Sequence, residues 1–232
     1  MENIRKIKLV GHVPSGGNDP RKTLFAKSNA QRIFLLSPAN TGSSRGAILL
    51  DESRESVFSA RLRAGSASLG ELFSFISGLY FRGKLSYARA FASPPRGIPG
   101  AVVITASGGL VPPDKLLTFE GLRELAAGPI DPADTRYRLP LERDARLLRD
   151  HLESKCEIVL LGSIATAKYV DPLLSIFGDR LKFPLEFVGR GEMSRGGLLL
   201  RCVRERSELT YIPVAGAVRR GGRPTHRAKR TR

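Results

Sequence analysis

The chain is poor in the residues from which compact reactive sites are usually built. In 232 residues it holds two cysteines and three histidines. Cys156 and Cys202 cannot form a disulfide scaffold; both sit beside or inside apolar runs and read as reduced, buried thiols. His12, His151 and His226 are far apart, and with two isolated cysteines they give no zinc spacing, so no metal site is expected. No GxxxxGK[ST] run occurs, which argues against a P-loop nucleotidase. No apolar run approaches the roughly 18–20 residues needed to span a bilayer. The opening MENIRKIKLVGHVPSGG starts basic but lacks the apolar core of a signal peptide. A cytoplasmic protein with no membrane partner and no cofactor is the expectation.

Acidic residues are also scarce, and their scarcity is uneven. Lys and Arg number 38 against 22 Asp and Glu, a net charge of +16. Residues 216–232 carry seven of the basic residues, among them Arg219, Arg220 and Arg223, and no acid. Residues 1–32 carry seven basic and two acidic residues. The 183 residues between, 33–215, are nearly balanced, with 24 basic against 20 acidic. The segment 216–232 has three glycines, a proline and no bulky apolar side chain after Val218, too little to bury. It is expected to be a disordered basic arm for polyanions, with nucleic acid as partner, DNA ahead of RNA. A tail serving only solubility is the plainer alternative. At about 150 residues per domain the length suggests one domain with tails: an irregular leader over 1–31, a folded part over 32–215, and the tail over 216–232.

Apolar patterning within the folded part alternates between strands and helices. Arg32–Leu36, Gly100–Thr105, Cys156–Leu161 and Lys182–Val188 read as buried strands. Ala47–Leu50 is a further short strand in the same reading. Ser68 and Glu71 have capping-box spacing ahead of LFSFISGLY, which predicts a helix over about 69–80. Gly83 is expected to interrupt it, with a second helical stretch reaching Phe91. Helical pieces are predicted near 114–126, over 141–153, and from Ser163 to about Phe177. After a glycine-rich loop, 189–197, two strands over 198–204 and 208–213 are expected to form a hairpin. The sum is an α/β fold with a mixed sheet covered by helices on both faces.

Three strands end in small-residue loops containing Ser37 and Asn40, Thr105 and Ser107, and Ser163. In open α/β sheets ligands sit beyond the carboxyl ends of the strands. These positions, with Tyr137, are the candidate pocket, although each also reads as an ordinary tight turn. Arg190 and Arg195 lie in a glycine-rich stretch; guanidinium forks grip phosphate, so these are the internal phosphate-binding candidates. Arg82, Lys84 and Arg89 are interleaved with Tyr80 and Tyr87, a pattern that binds backbone and stacks bases. Tyr80, Phe81, Tyr87 and Phe91 also fall at helical spacing, as a core stripe would; Lys84 and Tyr87 are the pair singled out for exposure. Asp114 is either a general base or a helix N-cap. No Ser–His–Asp set can be assembled.

Several of these stretches resemble a known family. RIFLLSPANT (32–41), IVLLGSIATAKY (158–169) and VGRGEMSRGG (188–197) resemble, in order, three segments of the YaaA-like peroxide-stress proteins. LYFRGKLSYARAFA (79–92), VVITASGGLVPPD (102–114) and TRYRLPL (135–141) are similar to the archaeosine synthase core and related uncharacterised domains. The resemblance covers about residues 32–200. Two departures stand out: the family's SPAKT lysine is Asn40 here, and its apolar helix after the ARGLMSR segment is replaced by LLLRCV, read as a strand. The resemblance implies a compact α/β protein with a basic cleft that contacts DNA, linked to stress response. The archaeosine synthase side implies instead a pocket for a nucleobase, nucleotide or modified tRNA base, and an enzyme acting there. A protein that binds a small anion is a third, weaker reading.

Overall fold

The computed structural model describes residues 31–217. The leader before residue 31 and the tail from residue 218 onward, with Arg219, Arg220 and Arg223, lie outside the described residues.

Five consecutive buried residues, Arg32–Leu36, make β1. Such a run suits a strand covered on both faces. β1 pairs in parallel with β3 (Ala101–Ile104) on one side and β6 (Glu157–Leu161) on the other. β7 (Leu181–Pro184) extends the sheet in parallel beyond β6, and β8 (Tyr211–Pro213) closes that edge antiparallel. β4 (Leu110–Val111) closes the other edge, giving the order β4-β3-β1-β6-β7-β8. A separate two-stranded ribbon pairs β2 (Ala67–Ser68) with β5 (Leu116–Leu117). The architecture is α/β with a mixed sheet covered on both faces, as the sequence predicts. Among the described residues no helix is long and apolar enough to cross a membrane.

Side chains alternate across the sheet. Phe34 and Leu36 point into one core with Val103, Val159 and Leu161. That core is completed by α1 (Ser44–Leu50), α2 (Val57–Arg63), α3 (Leu69–Ser77), α4 (Leu79–Phe91), α5 (Phe119–Ala126) and α8 (Glu192–Glu205). Ile33 and Leu35 point into the other core, with Ile158 and Leu160, under α6 (Thr135–Asp150) and α7 (Ala167–Phe177).

The capping box forms as expected: Ser68 Oγ accepts from the Glu71 backbone, and the Glu71 carboxylate accepts from the Ser68 backbone at 3.0 Å. Hydrogen bonds from Arg61, then from Ser68, hold the Glu71 carboxyl down at about 2.

Four expectations change. Ala47–Leu50 belongs to α1, started by Ser43, whose hydroxyl accepts from Gly46 N–H. The break before α4 is at Gly78, with φ +57°, and α4 runs through Gly83. The fourth strand stops at Pro184, and a single 3₁₀ turn takes Leu185–Phe187. Residues 198–204 are helix, so the expected hairpin reduces to β8.

The last change has a packing cause. α8 lies directly against α4, and a Cβ on Gly83 would come within 2.8 Å of the Gly196 carbonyl oxygen. A Cβ on Gly196 would meet the Leu79 and Tyr80 backbone at 2.9 Å. Gly196 therefore marks a close helix crossing, and the helix break its composition suggests is absent.

Neighbouring glycines should then respond with opposite sign. Gly196→Ala forces backbone apart and should lose about 1–3 kcal/mol. Gly197 has nothing within 4 Å of its would-be Cβ, so Gly197→Ala should gain up to about 1 kcal/mol from helix propensity. Urea unfolding of the two variants checks this; equal shifts would contradict the close crossing.

Candidate functional site

The strand order turns back at β1: the next parallel strand in the chain, β3, lies on one side of it, and the one after that, β6, on the other. Such a switch point opens a crevice at the carboxyl ends, because the connections leave toward opposite faces. A cleft of about 890 Å³ lies there. Its wall nearest β1 is the turn Pro38–Ser43; Tyr80, Lys168, Tyr169 and Glu192 converge on it from α4, α7 and α8.

Beneath the cleft sits Lys84, 1% exposed. Its ammonium donates to the Ser37 carbonyl at 2.5 Å and to Ser37 Oγ at 2.8 Å. It also lies 4.4 Å from the Tyr80 ring centre and 5.0 Å from that of Phe81. Burial pulls the Lys84 amine down to about 7; Glu192 opposes the fall and Arg195 adds to it. Tyr80 is 4% exposed, and its buried hydroxyl lies beside the Arg195 guanidinium. Burial pushes that phenol up, against the nearby Arg195 guanidinium. Tyr169 is pushed up by burial, then by Tyr80 and Glu192. Lys84, Tyr80 and Tyr169 thus all sense the one Glu192 carboxylate.

The N-terminus of α7 is held from behind. Pro172 lies inside α7 and supplies no N–H to the Lys168 carbonyl four residues earlier. The Tyr137 hydroxyl, on α6, donates to that carbonyl at 2.6 Å. Thr166, the N-cap, makes no side-chain bond to the first turn.

Of the residues singled out from sequence, Asn40 lines the cleft, its side chain also accepting from Gly42 N–H at 3.1 Å. Ser37 is buried just behind it, and its hydroxyl donates to the Leu161 carbonyl, tying β1 to β6. The others have structural partners. Thr105, fully buried, closes its turn by donating to the Gly109 carbonyl and accepting from Gly108 N–H. Ser107 Oγ donates to the Glu124 carbonyl. Ser163 Oγ accepts from Ala165 N–H. Tyr137 is fully buried and acts on the cleft only through Lys168.

Lys84 and Tyr87 are not an exposed pair. Tyr87 belongs to the core stripe, its hydroxyl accepting from Leu209 N–H and paired with Tyr211 at 2.6 Å. Arg190 and Arg195 do not form a loop; they flank the start of α8. Arg190 donates to the Glu186 carbonyl, and Arg195 donates twice to the Phe187 carbonyl with its guanidinium over the Phe187 ring. Asp114 is not the cap: it pairs with Arg89, and Thr118 caps α5. His151 is the C-cap of α6, its ring hydrogen-bonded to the Leu147 carbonyl.

Sequence reasoning left Tyr80, Lys168, Tyr169 and Glu192 off the candidate site. The signal was present for three of them. Lys168 and Tyr169 close the IATAKY motif, and Glu192 sits inside GRGEMSR; reading 192–205 as a helix would have placed Glu192 in a first turn.

No family model matches the chain, and neither a curated protein nor a solved structure does. The functional reading therefore rests on the cleft itself. Among the described residues no group of three or more His, Cys, Asp or Glu could hold a metal ion.

Two measurements test this geometry. The Lys84 amine titrates near 7 folded and near 10.5 unfolded. Between those values the unfolded chain binds the extra proton, so rising pH favours the fold. From pH 7 to 9 the wild type should gain stability over Lys84→Met by up to about 1.4 kcal/mol per pH unit. Thermal melts across that range read it; parallel profiles would show that Lys84 keeps its proton. Tyr137→Phe strands the Lys168 carbonyl and should lose about 1–3 kcal/mol; chemical unfolding with no loss would mean that water replaces the phenol.

Proposed function

We propose that the chain is a nucleic-acid-binding protein whose basic ends attract the polyanion and whose cleft seats a single nucleotide. The observation that carries this reading is the switch-point cleft, of a size with small-molecule sites (about 300–1,000 Å³) and walled by Tyr80 and Tyr169. Every base offers a π-face to an aromatic wall. Charge supports the same division of labour. Within the fold most arginines are neutralised locally: Arg61 by Glu71, Arg63 by Glu55, Arg123 by Glu52, Arg143 by Asp144 and Arg146 by Glu142. The excess charge sits in the ends.

A second reading, an enzyme acting on the seated base, draws on Lys84, Tyr80 and Tyr169 all sensing the Glu192 carboxylate. An amine that burial brings to about 7 and a carboxylate whose charge it senses are groups that proton transfer can use.

Fluorescence anisotropy of the full chain with single-stranded DNA, duplex DNA and tRNA, across a salt series, tests the proposal. Replacing Arg219, Arg220 and Arg223 together by Gln should weaken all three alike and flatten the salt dependence by about 2–3 in log–log slope. Asn40→Trp, at an exposed position in the cleft wall, should weaken only ligands with unpaired bases. Unchanged binding of every ligand by Asn40→Trp would remove the cleft from recognition.

A further inference from the structure

We propose that Ser37 and Lys84 form a serine–lysine dyad behind the cleft wall, in which the Ser37 hydroxyl attacks the carbonyl carbon of a small activated ester and the Lys84 amine is its base. This activity goes beyond the binding reading and does not depend on what else the cleft seats.

The two groups already stand where the chemistry needs them. Ser37 follows the last residue of β1, and Pro38 and Ala39 after it line the cleft. Ser37 keeps 6% of its surface exposed, against 0% for Leu36 before it, so the chain emerges toward the cleft at this residue. Ser37 Oγ lies 2.8 Å from Lys84 Nζ, within the reach of a nucleophile and its base. The amine is fixed by the Ser37 carbonyl at 2.5 Å and covered by the Tyr80 ring at 4.4 Å. Gly162, just past β6, stands against the hydroxyl. A Cβ there would press on Ser37 Cβ at 3.0 Å and on Oγ at 3.2 Å, so glycine keeps that flank clear of any side chain.

One contact serves both protonation states. The ammonium donates to Ser37 Oγ, and the hydroxyl donates to the Leu161 carbonyl at 3.2 Å. The neutral amine offers a lone pair, so the hydroxyl turns and donates to it instead. Burial brings the amine down to about 7, with Glu192 on α8 opposing the fall and Arg195 on α8 adding to it. Tyr80 on α4 and Tyr169 on α7 are pushed up by burial and stay neutral beside it. An amine at its ordinary value of 10.5 would be an ammonium at neutral pH and no base.

The steps balance with water as the second reactant. Ser37 Oγ bonds to the carbonyl carbon as its proton passes to Lys84 Nζ. The bond to the leaving oxygen breaks, and Lys84 returns the proton to that oxygen, releasing the alcohol. Water then attacks the acylated serine and gives a proton to Lys84, which passes it to Ser37 Oγ as the acid departs. Pro38, the residue after the nucleophile, has no N–H to offer the developing oxyanion. The substrate is therefore an ester activated by an acidic leaving alcohol such as a phenol.

The test is labelling of the full chain with a fluorophosphonate, which phosphonylates an activated serine with loss of fluoride, and with p-nitrophenyl acetate, which acetylates it. Intact mass and peptide mapping read the adducts. Both reagents should modify Ser37, at a rate that rises through pH about 7 and levels off above it. Lys84→Met and Lys84→Arg should each slow the reaction about a hundredfold or more. Arginine keeps a donor for the Ser37 carbonyl but does not give up its proton, which separates the base from the structural tie. Thermal melts identify a variant that no longer folds; the wild-type adduct and its pH profile decide the matter without it. Absence of a Ser37 adduct from either reagent overturns the dyad. So does a rate whose midpoint sits near 10.5, the ordinary lysine value, or a reaction that survives both Lys84 variants in folded protein.

Discussion

The structure hangs from β1. Every one of its five residues is buried, it is hydrogen-bonded on both sides, and its two faces feed two separate cores. Its amino end is tied by charge: Arg32 bonds Glu157 across the strand pair, Glu157 bonds Lys182 on β7, and Arg32 also reaches Glu208 before β8. Its carboxyl end is tied by one amine, with Lys84 gripping the Ser37 carbonyl and hydroxyl. A strand pinned at both ends fixes the turn that follows it, and that turn is one wall of the cleft.

Lys84 joins stability to the site. A buried amine is expensive to keep charged, and α4 brings it under the cleft because α8 presses α4 inward at Gly83 and Gly196. Glu192, in the first turn of α8, is the carboxylate whose charge favours that ammonium. Loosening the helix crossing would therefore disturb the electrostatics of the cleft as well as the core.

Charge is divided between two scales. Paired arginines on the fold's surface contribute little individually to stability, but they leave the folded part nearly neutral. The unbalanced cations are in the chain ends. The cleft has a mixed lining of aromatic, amide, cationic and carboxylate groups where a basic cleft was expected.

Much of the fold was legible because its signals are local. Apolar runs such as RIFLL and EIVLL mark buried strands, and the Ser68–Glu71 box marks a helix start. Apolar side chains recurring at helical spacing mark α6. The failures came where one residue type serves two purposes. Gly83 and Gly196 read as breakers, yet they are the points where two helices touch; Leu198–Val203 read as a strand because a two-residue glycine run hid its helical spacing. Ser107, Ser163 and Thr105 have the composition of pocket hydroxyls and spend them on their own turns. By itself the sequence determined the class of fold, the buried strands, the position of Asn40 and Ser37 at a strand end, and the separation of charge into the ends. Only the tertiary structure decided that Lys84 is buried, that Tyr80, Tyr169, Lys168 and Glu192 share one cleft, and that Tyr137 supports it from behind. Those residues lie on four helices and belong together only because β1 stands between β3 and β6, a neighbour relation that no local pattern encodes.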